Sequence, residues 1–323
     1  MIYHGIMVWY GGFRMKGRDL LSIHDLTTEE VYEILDLAKD LKAKQKAGIE
    51  HHLLKGKTLG MIFQKSSTRT RVSFEVGMYQ LGGSALFLSG HDLQIGRGEP
   101  IKDTARVLSR YLDGVMIRTF AHADVEEFAK YADIPVINAL TDLLHPCQVL
   151  TDLLTIQEHK GKQLKGLKLA YIGDCNNMVH SLMYGCAKVG MHFVVATPKG
   201  CEPNAEVLAN AVADAKVTGG SITVVNDIYE AAKDADVLYT DVWASMGQES
   251  EREERCRRFK DYQINSKLME VASKSAIVLH CLPAHRGEEI SEEVLEKYQD
   301  VIFDEAENRL HVQKAIMALT MCD

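Results

Sequence analysis

The chain has 323 residues, 46% hydrophobic and 25% charged, enough for two domains of ordinary size with cores of their own. Its net charge of −8 argues against a general nucleic-acid binder, which shows a basic face, yet leaves a small anionic ligand open. Seven scattered cysteines without a C-x-x-C pair argue against a disulfide framework or zinc ribbon and for a reducing cytoplasm, and no apolar run reaches the roughly 18 residues that span a bilayer.

Residues 1–14, MIYHGIMVWYGGFR, are apolar but short, with neither a basic start nor a small-residue cleavage pattern, so they do not read as a secretory signal. They are an extension: a leader, an over-long start, or a strap on a neighbouring subunit. The ordered fold is expected from about Met15. TTEEVYEILDLAKDLKAKQKAG predicts a helix with a Thr27-x-x-Glu30 capping box, an apolar face through Val31, Ile34, Leu35, Ala38 and Leu41, and a stop at Gly48. Strands are predicted at Thr58–Phe63, Ala85–Leu88, Val115–Arg118 and Val136–Ala139, with one intervening helix opened by Pro100 and stopped at Gly114.

A long helix from about Pro146 to His159 separates this series from a second one. The second carries the strand patterns LKLAYIG, HFVVAT, SITVV, DVLYTDV and AIVLHCL. A last apolar helix, Val312 to Met321, is expected to pack back on the first domain. The alternation predicts an α/β fold of two tandem domains, each a mostly parallel sheet with helices on both faces. Their bounds are 15–150, joined by the helix at about 310–323, and 151–309.

Open parallel sheets bind ligands beyond the carboxyl ends of their strands. SSTRTR stands there, between a strand and a helix. Free backbone N–H groups and the helix dipole favour an anion at such a point. Capping explains one Ser or Thr; Ser67, Thr68 and Thr70 together with Arg69 supply more donors than a cap needs. Arg118 ends the strand of VMIRTF, as an anion donor or as the partner of a surface acid. In LLHPCQ, His145 and Gln148 flank a helix start and suit a carbonyl oxygen or an amide; a capping or core histidine is the other reading.

The second series adds YIGDCNNMVHS, which has the position of a dinucleotide loop without its glycines. Asn176 and Asn177 there suit an amino-acid carboxylate or amine. Asp241, in YTDVWASMGQE, suits an ammonium group. In VLHCLPAHRG, Cys281 and His285 have i, i+4 spacing, but Pro283 argues against a helix, and a zinc site needs further ligands.

SSTRTR, HPCQ, DVWASMG and HCLP, in that order, identify the chain from about Lys16 onward as resembling the aspartate/ornithine carbamoyltransferase family. The SMG turn and the Cys of HCLP resemble its ornithine-using branch; aspartate-using members typically carry Pro in place of that Cys. The resemblance implies a carbamoyl-phosphate domain, an ornithine domain, and a homotrimer or multiple of trimers with sites between subunits. Ser67, Thr68, Arg69 and Thr70 would hold the phosphate, and Arg118, His145 and Gln148 the phosphate and carbamoyl ends. Gln94, in HDLQIGRGE, matches the loop that reaches a neighbouring subunit's site. Asn177, Asp241, Ser245 and Met246 match ornithine positions, and Cys281, Leu282 and Arg309 complete the carbamoyl site. Gln64 departs from the Glu of many members, at no ligand position.

The implied reaction joins the side-chain amine of L-ornithine to the carbamoyl group of carbamoyl phosphate, giving L-citrulline and phosphate, in arginine biosynthesis or, reversed, its catabolism. Arg118, His145 and Cys281 are the catalytic candidates. No metal or organic cofactor, nucleic acid or membrane is implied. A carbamoyltransferase for putrescine, aspartate or an acylated ornithine is the nearest rival; a nucleotide-dependent dehydrogenase and a non-catalytic binding homologue are more distant.

Overall fold

The structure, a computed structural model, describes residues 14–90, 93, 98–161, 163–244 and 249–322. Helix α1 (Thr28–Lys46) opens with the capping box read from the sequence. Thr27 Oγ1 accepts from the Glu30 N–H, and the Glu30 carboxylate accepts from the Thr27 N–H. Then come β1 (Thr58–Phe63), α2 (Thr68–Gln80), β2 (Ser84–Ser89), α3 (Ile101–Leu108), β3 (Gly114–Arg118), α4 (His122–Tyr131) and β4 (Val136–Leu140). The four strands run parallel in the order β2-β1-β3-β4. Covered on both faces, β1, β3 and β4 are nearly continuous apolar runs, as buried parallel strands are. β2 lies at the edge and is partly exposed.

One predicted helix is shorter than expected. Pro100 caps α3 rather than starting it, and the helix ends at Leu108. Gly114 does not stop a helix; it opens β3. A Cβ there would lie 2.9 Å from Met321 Sδ, so the glycine lets the C-terminal helix approach the strand.

The second half contains α5 (Pro146–Lys160), β5 (Lys168–Ile172), α6 (Asn177–Val189), β6 (His192–Ala196), α7 (Ala205–Thr218), β7 (Ser221–Val225) and α8 (Ile228–Ala232). It continues with β8 (Val237–Tyr239), α9 (Arg252–Phe259), α10 (Ser266–Met269), β9 (Ile277–Leu279), α11 (Glu292–Lys297) and α12 (Gln299–Met321). Its five strands are also parallel, in the order β7-β6-β5-β8-β9. Two parallel sheets with helices on both faces therefore match the fold class expected from the sequence.

α5 is buried without interruption from Pro146 to Gln157, as a helix enclosed on all sides must be. It touches β4 and α6, and so belongs to both halves. α12 begins at Gln299, well before the predicted Val312. Its early turns carry Asp300, Asp304, Glu305, Glu307, Asn308 and Arg309, which hide the apolar period. It leaves the β9 side and packs on α5, α1 and α2. Met15 is buried, and the Gly17 N–H donates to the Thr320 carbonyl at 2.9 Å. Among the described residues no helix is long and apolar enough to cross a membrane. In each sheet the strand order reverses once, between β1 and β3 and between β5 and β8. Such points leave a crevice at the carboxyl ends.

Candidate active site

A cleft of about 730 Å³ lies where those two crevices face one another. Residues after β1, β3 and β4 form one wall, residues after β5, β8 and β9 the other, and Arg309 of α12 reaches in between.

The first wall is cationic. Ser67 caps α2, its Oγ accepting from the Thr70 N–H at 3.2 Å. Ser67, Thr68 and Arg69 line the cleft at this helix start, where unsatisfied N–H groups favour an anion. Arg71 does not join them; it pairs with Glu75 and lies over the Phe87 ring, 3.8 Å from its centroid. Arg118 and Arg309 are buried with Arg69 nearby. Burial, then the Arg309 and Arg69 charges, lowers Arg118 to about 10, so it stays protonated at neutral pH. Burial, then the Arg309 and Arg118 charges, hold His145 well below the usual histidine range, so it is neutral. Its Nδ1 is buried with no partner among the described residues.

Thr70 sits behind this wall rather than on it. It is fully buried, and its Oγ1 accepts from Ser67 at 3.0 Å and from Arg309 at 2.8 Å. Thr70, expected at the phosphate, ties Ser67 to Arg309, because α2 turns its third residue inward.

The opposite wall is anionic. Asp241 accepts from Asn176 Nδ2 at 2.9 Å, from the Val242 N–H at 2.8 Å and from the Cys281 thiol at 3.2 Å. Burial and the Asp241 charge push the Cys281 thiol well above its ordinary range, so it is a neutral donor, not a thiolate. Asp174 also lines the cleft, paired with Arg255 at 2.7 Å. Asn177 reaches across, its Nδ2 donating to the Thr141 carbonyl at 2.7 Å.

Between the walls stands Gln148, with its Nε2 held by Asp152 and Glu305. Beside it, Cys281 and Leu282 turn a corner. Leu282 has a φ of +57°, a conformation costing on the order of 1–3 kcal/mol for a branched residue. The corner is held from behind: the Leu282 N–H donates to His280 Nδ1 at 2.9 Å, which leaves the proton on Nε2 for buried Glu289 at 3.0 Å. Asp241, His280 and Cys281 bring possible metal-ligand atoms within 4.8 Å of one another. Both ring nitrogens of His280 are already engaged, so an ion there would have to break the Leu282 or the Glu289 bond.

The structure thus gathers Ser67, Thr68, Arg69, Arg118, His145, Gln148, Asn177, Asp241, Cys281, Leu282 and Arg309 around one cleft. Gln94, Ser245 and Met246 lie outside the described residues. Sequence reasoning missed Lys65, Asp174, Asp152, Glu305 and His280. Asp174 stood in plain view at a strand end. Gln148 and Asp152 have i, i+4 spacing on one helix, a usable signal. Glu305 and His280 had none, because their partners are distant in the chain.

Comparison with known proteins agrees with this geometry. The model described as aspartate/ornithine carbamoyltransferase, carbamoyl-P binding domain, matches residues 18–158. The one described as aspartate/ornithine carbamoyltransferase, Asp/Orn binding domain, matches residues 165–320. The ornithine carbamoyltransferase of Oceanobacillus iheyensis is 60% identical over 309 residues, 96% of this chain and 96% of that one. That of Carboxydothermus hydrogenoformans is 59% identical over 306 residues, 95% of this chain and 98% of that one. The solved ornithine carbamoyltransferase of Pyrococcus furiosus has a TM-score of 0.92 at 55% identity, covering 95% of this chain and 98% of that one. The anabolic ornithine carbamoyltransferase of Campylobacter jejuni has a TM-score of 0.88 at 47% identity, covering 93% and 97%.

Proposed function

This chain belongs to the aspartate/ornithine carbamoyltransferase family, and from that premise we propose that it transfers the carbamoyl group of carbamoyl phosphate to the side-chain amine of L-ornithine. The observation that carries the reading is the charge division of the cleft. Arg69, Arg118 and Arg309 suit a phosphate on one wall, and Asp241 suits an ammonium on the other.

Carbamoyl phosphate would lie with its phosphate at Ser67, Thr68 and Arg69 and its carbonyl oxygen toward Arg118, His145 and Arg309. As the amine attacks, that oxygen gains negative charge. Fixed donors facing it are worth roughly 3 kcal/mol each. The N–C bond forms, the C–O bond to phosphate breaks, and the proton lost by the amine ends on the departing phosphate. The amine must be neutral to attack. At pH 7 that costs about 4.6 kcal/mol for a group of pKa ~10.4, less in a dry site. The neutral thiol of Cys281 offers its sulfur lone pairs to the amine while its S–H stays hydrogen-bonded to Asp241.

Gln94, Ser245 and Met246 complete the proposal by resemblance alone. A homotrimer belongs to the proposal by resemblance too, and the surface of the first half supports it. Val72, Val76 and Tyr79 form an exposed stripe on α2, next to exposed Leu86 and Phe87 on the edge strand β2. A cytoplasmic setting belongs to the same proposal, supported by seven cysteines that form no disulfide.

The test is turnover by the purified protein with carbamoyl phosphate and, in turn, ornithine, putrescine, aspartate and an acylated ornithine. Citrulline and phosphate should appear with ornithine at the highest kcat/KM. Asp241→Asn should raise the ornithine KM by roughly 10- to 150-fold, the worth of a charged hydrogen bond, and hardly affect putrescine, which has no α-ammonium. Equal turnover of putrescine by the wild type would remove the ornithine assignment.

A further inference from the structure

Both amide protons of Gln148 are taken. Its Nε2 donates to Asp152 Oδ1 at 2.8 Å and to Glu305 Oε1 at 3.1 Å. Asp152 lies one turn along α5, and Glu305 comes from α12. Both carboxyls are at most 1% exposed, and among the described residues neither has a salt bridge. Glu305 is itself held as an acceptor, by the Tyr239 hydroxyl at 3.2 Å and the His280 N–H at 2.9 Å. Burial raises both carboxyls, and the Asp152 charge adds to the rise at Glu305, so the pair resists carrying two negative charges.

These contacts leave the Gln148 amide one good orientation. Reversed, its oxygen would face two carboxyl oxygens, one of which, Glu305 Oε1, already accepts from Tyr239. As placed, Oε1 is buried with no partner among the described residues, on a side chain that lines the cleft. A buried acceptor in that state calls for a donor from whatever fills the cleft.

We propose that Asp152 and Glu305 are positioning residues: they turn the Gln148 carbonyl oxygen toward the cleft and so make the site demand an N–H on the group it transfers. The proposal rests on the carbamoyl-transfer reading and explains how the site would tell a carbamoyl from an acetyl group. The two differ by –NH2 against –CH3. The methyl would leave Oε1 buried and unpaired, a loss that sites built around a hydrogen bond penalise strongly.

The experiment measures dissociation constants of carbamoyl phosphate, acetyl phosphate and inorganic phosphate for the full-length wild type, Asp152→Asn and Glu305→Gln. The wild type should hold carbamoyl phosphate at least roughly tenfold tighter than acetyl phosphate. Asp152→Asn offers Gln148 an amide donor where it had an acceptor, which lets the amide reverse. Its carbamoyl/acetyl ratio should fall at least about fivefold, with inorganic phosphate changed less than about twofold. A merely structural role would weaken all three ligands together. That result, or an unchanged ratio, overturns the proposal. If Asp152→Asn does not fold, Glu305→Gln carries the same comparison, because it too sets an amide donor beside Gln148 where there was an acceptor. If neither folds, the wild-type ratio decides: a value near one overturns the proposal, and one above about tenfold upholds it. Failure of the carbamoyl-transfer reading looks different, since the wild type would then make no citrulline whatever the ratios.

Discussion

His145 is neutral because it is buried beside Arg309 and Arg118, and protonating it would set three cations together. It can meet the carbamoyl oxygen as a donor with no titration of its own near pH 6.5. The sign for stability follows. The folded state resists the proton, so the contribution of His145 is full above pH 6.5 and declines as pH falls below it. Cys281 is the counterpart on the other wall, a thiol kept neutral by burial and by Asp241. The titration that matters for attack is then that of the substrate amine. kcat/KM for ornithine should rise from pH 7 toward 9, starting at about tenfold per pH unit. A flat profile between pH 6 and 9, or a limb near 6.5 that vanishes in His145→Gln, would sink this account.

Helix α2 does two jobs with two faces. Its N-terminus supplies the cap and the donors of the cleft, with Thr70 tying that end to Arg309 of α12. Its outer face carries Val72, Val76 and Tyr79, the last 80% exposed. Gly77, on the inner side, lets α12 come close: a Cβ there would lie 2.9 Å from Met317. Tyr79→Asp changes only the outer face. We expect it to stay folded by circular dichroism, to sediment as a single chain rather than as three, and to lose most of its citrulline formation. A variant of unchanged mass and activity would show that this stripe is not the subunit contact.

At the scale of the molecule, two sheets turn their carboxyl ends toward each other, one lined with cations and the other with acids. A divided site of this kind favours order. On this reading carbamoyl phosphate would dock on the first half, and ornithine would then find both its acid and its electrophile in place. Product-inhibition kinetics should show carbamoyl phosphate adding first and phosphate leaving last; a random pattern would refute it. Much of this was legible beforehand. The strands are continuous apolar runs with turn residues at their ends, and parallel sheets put ligands at those ends, so SSTRTR, Arg118, HPCQ, Asp241 and Cys281 stand out in the sequence alone. The true start of α12 was not legible, because buried acids and Arg309 occupy the turns where an apolar face was sought. Nor was the inward turn of Thr70, since neighbours in a run of donors differ only in the direction in which the helix points them.

Local pattern decided the alternation of elements, the caps and the kinds of donor at each strand end, because each depends on residues a few positions apart. Distance in space decided the rest. The raised carboxyls of Asp152 and Glu305, the neutrality of His145 and Cys281, and the facing of one charged wall by the other arise only when far parts of the chain are buried together. A pKa and an amide's orientation are properties of an enclosure, and an enclosure has no address in a sequence.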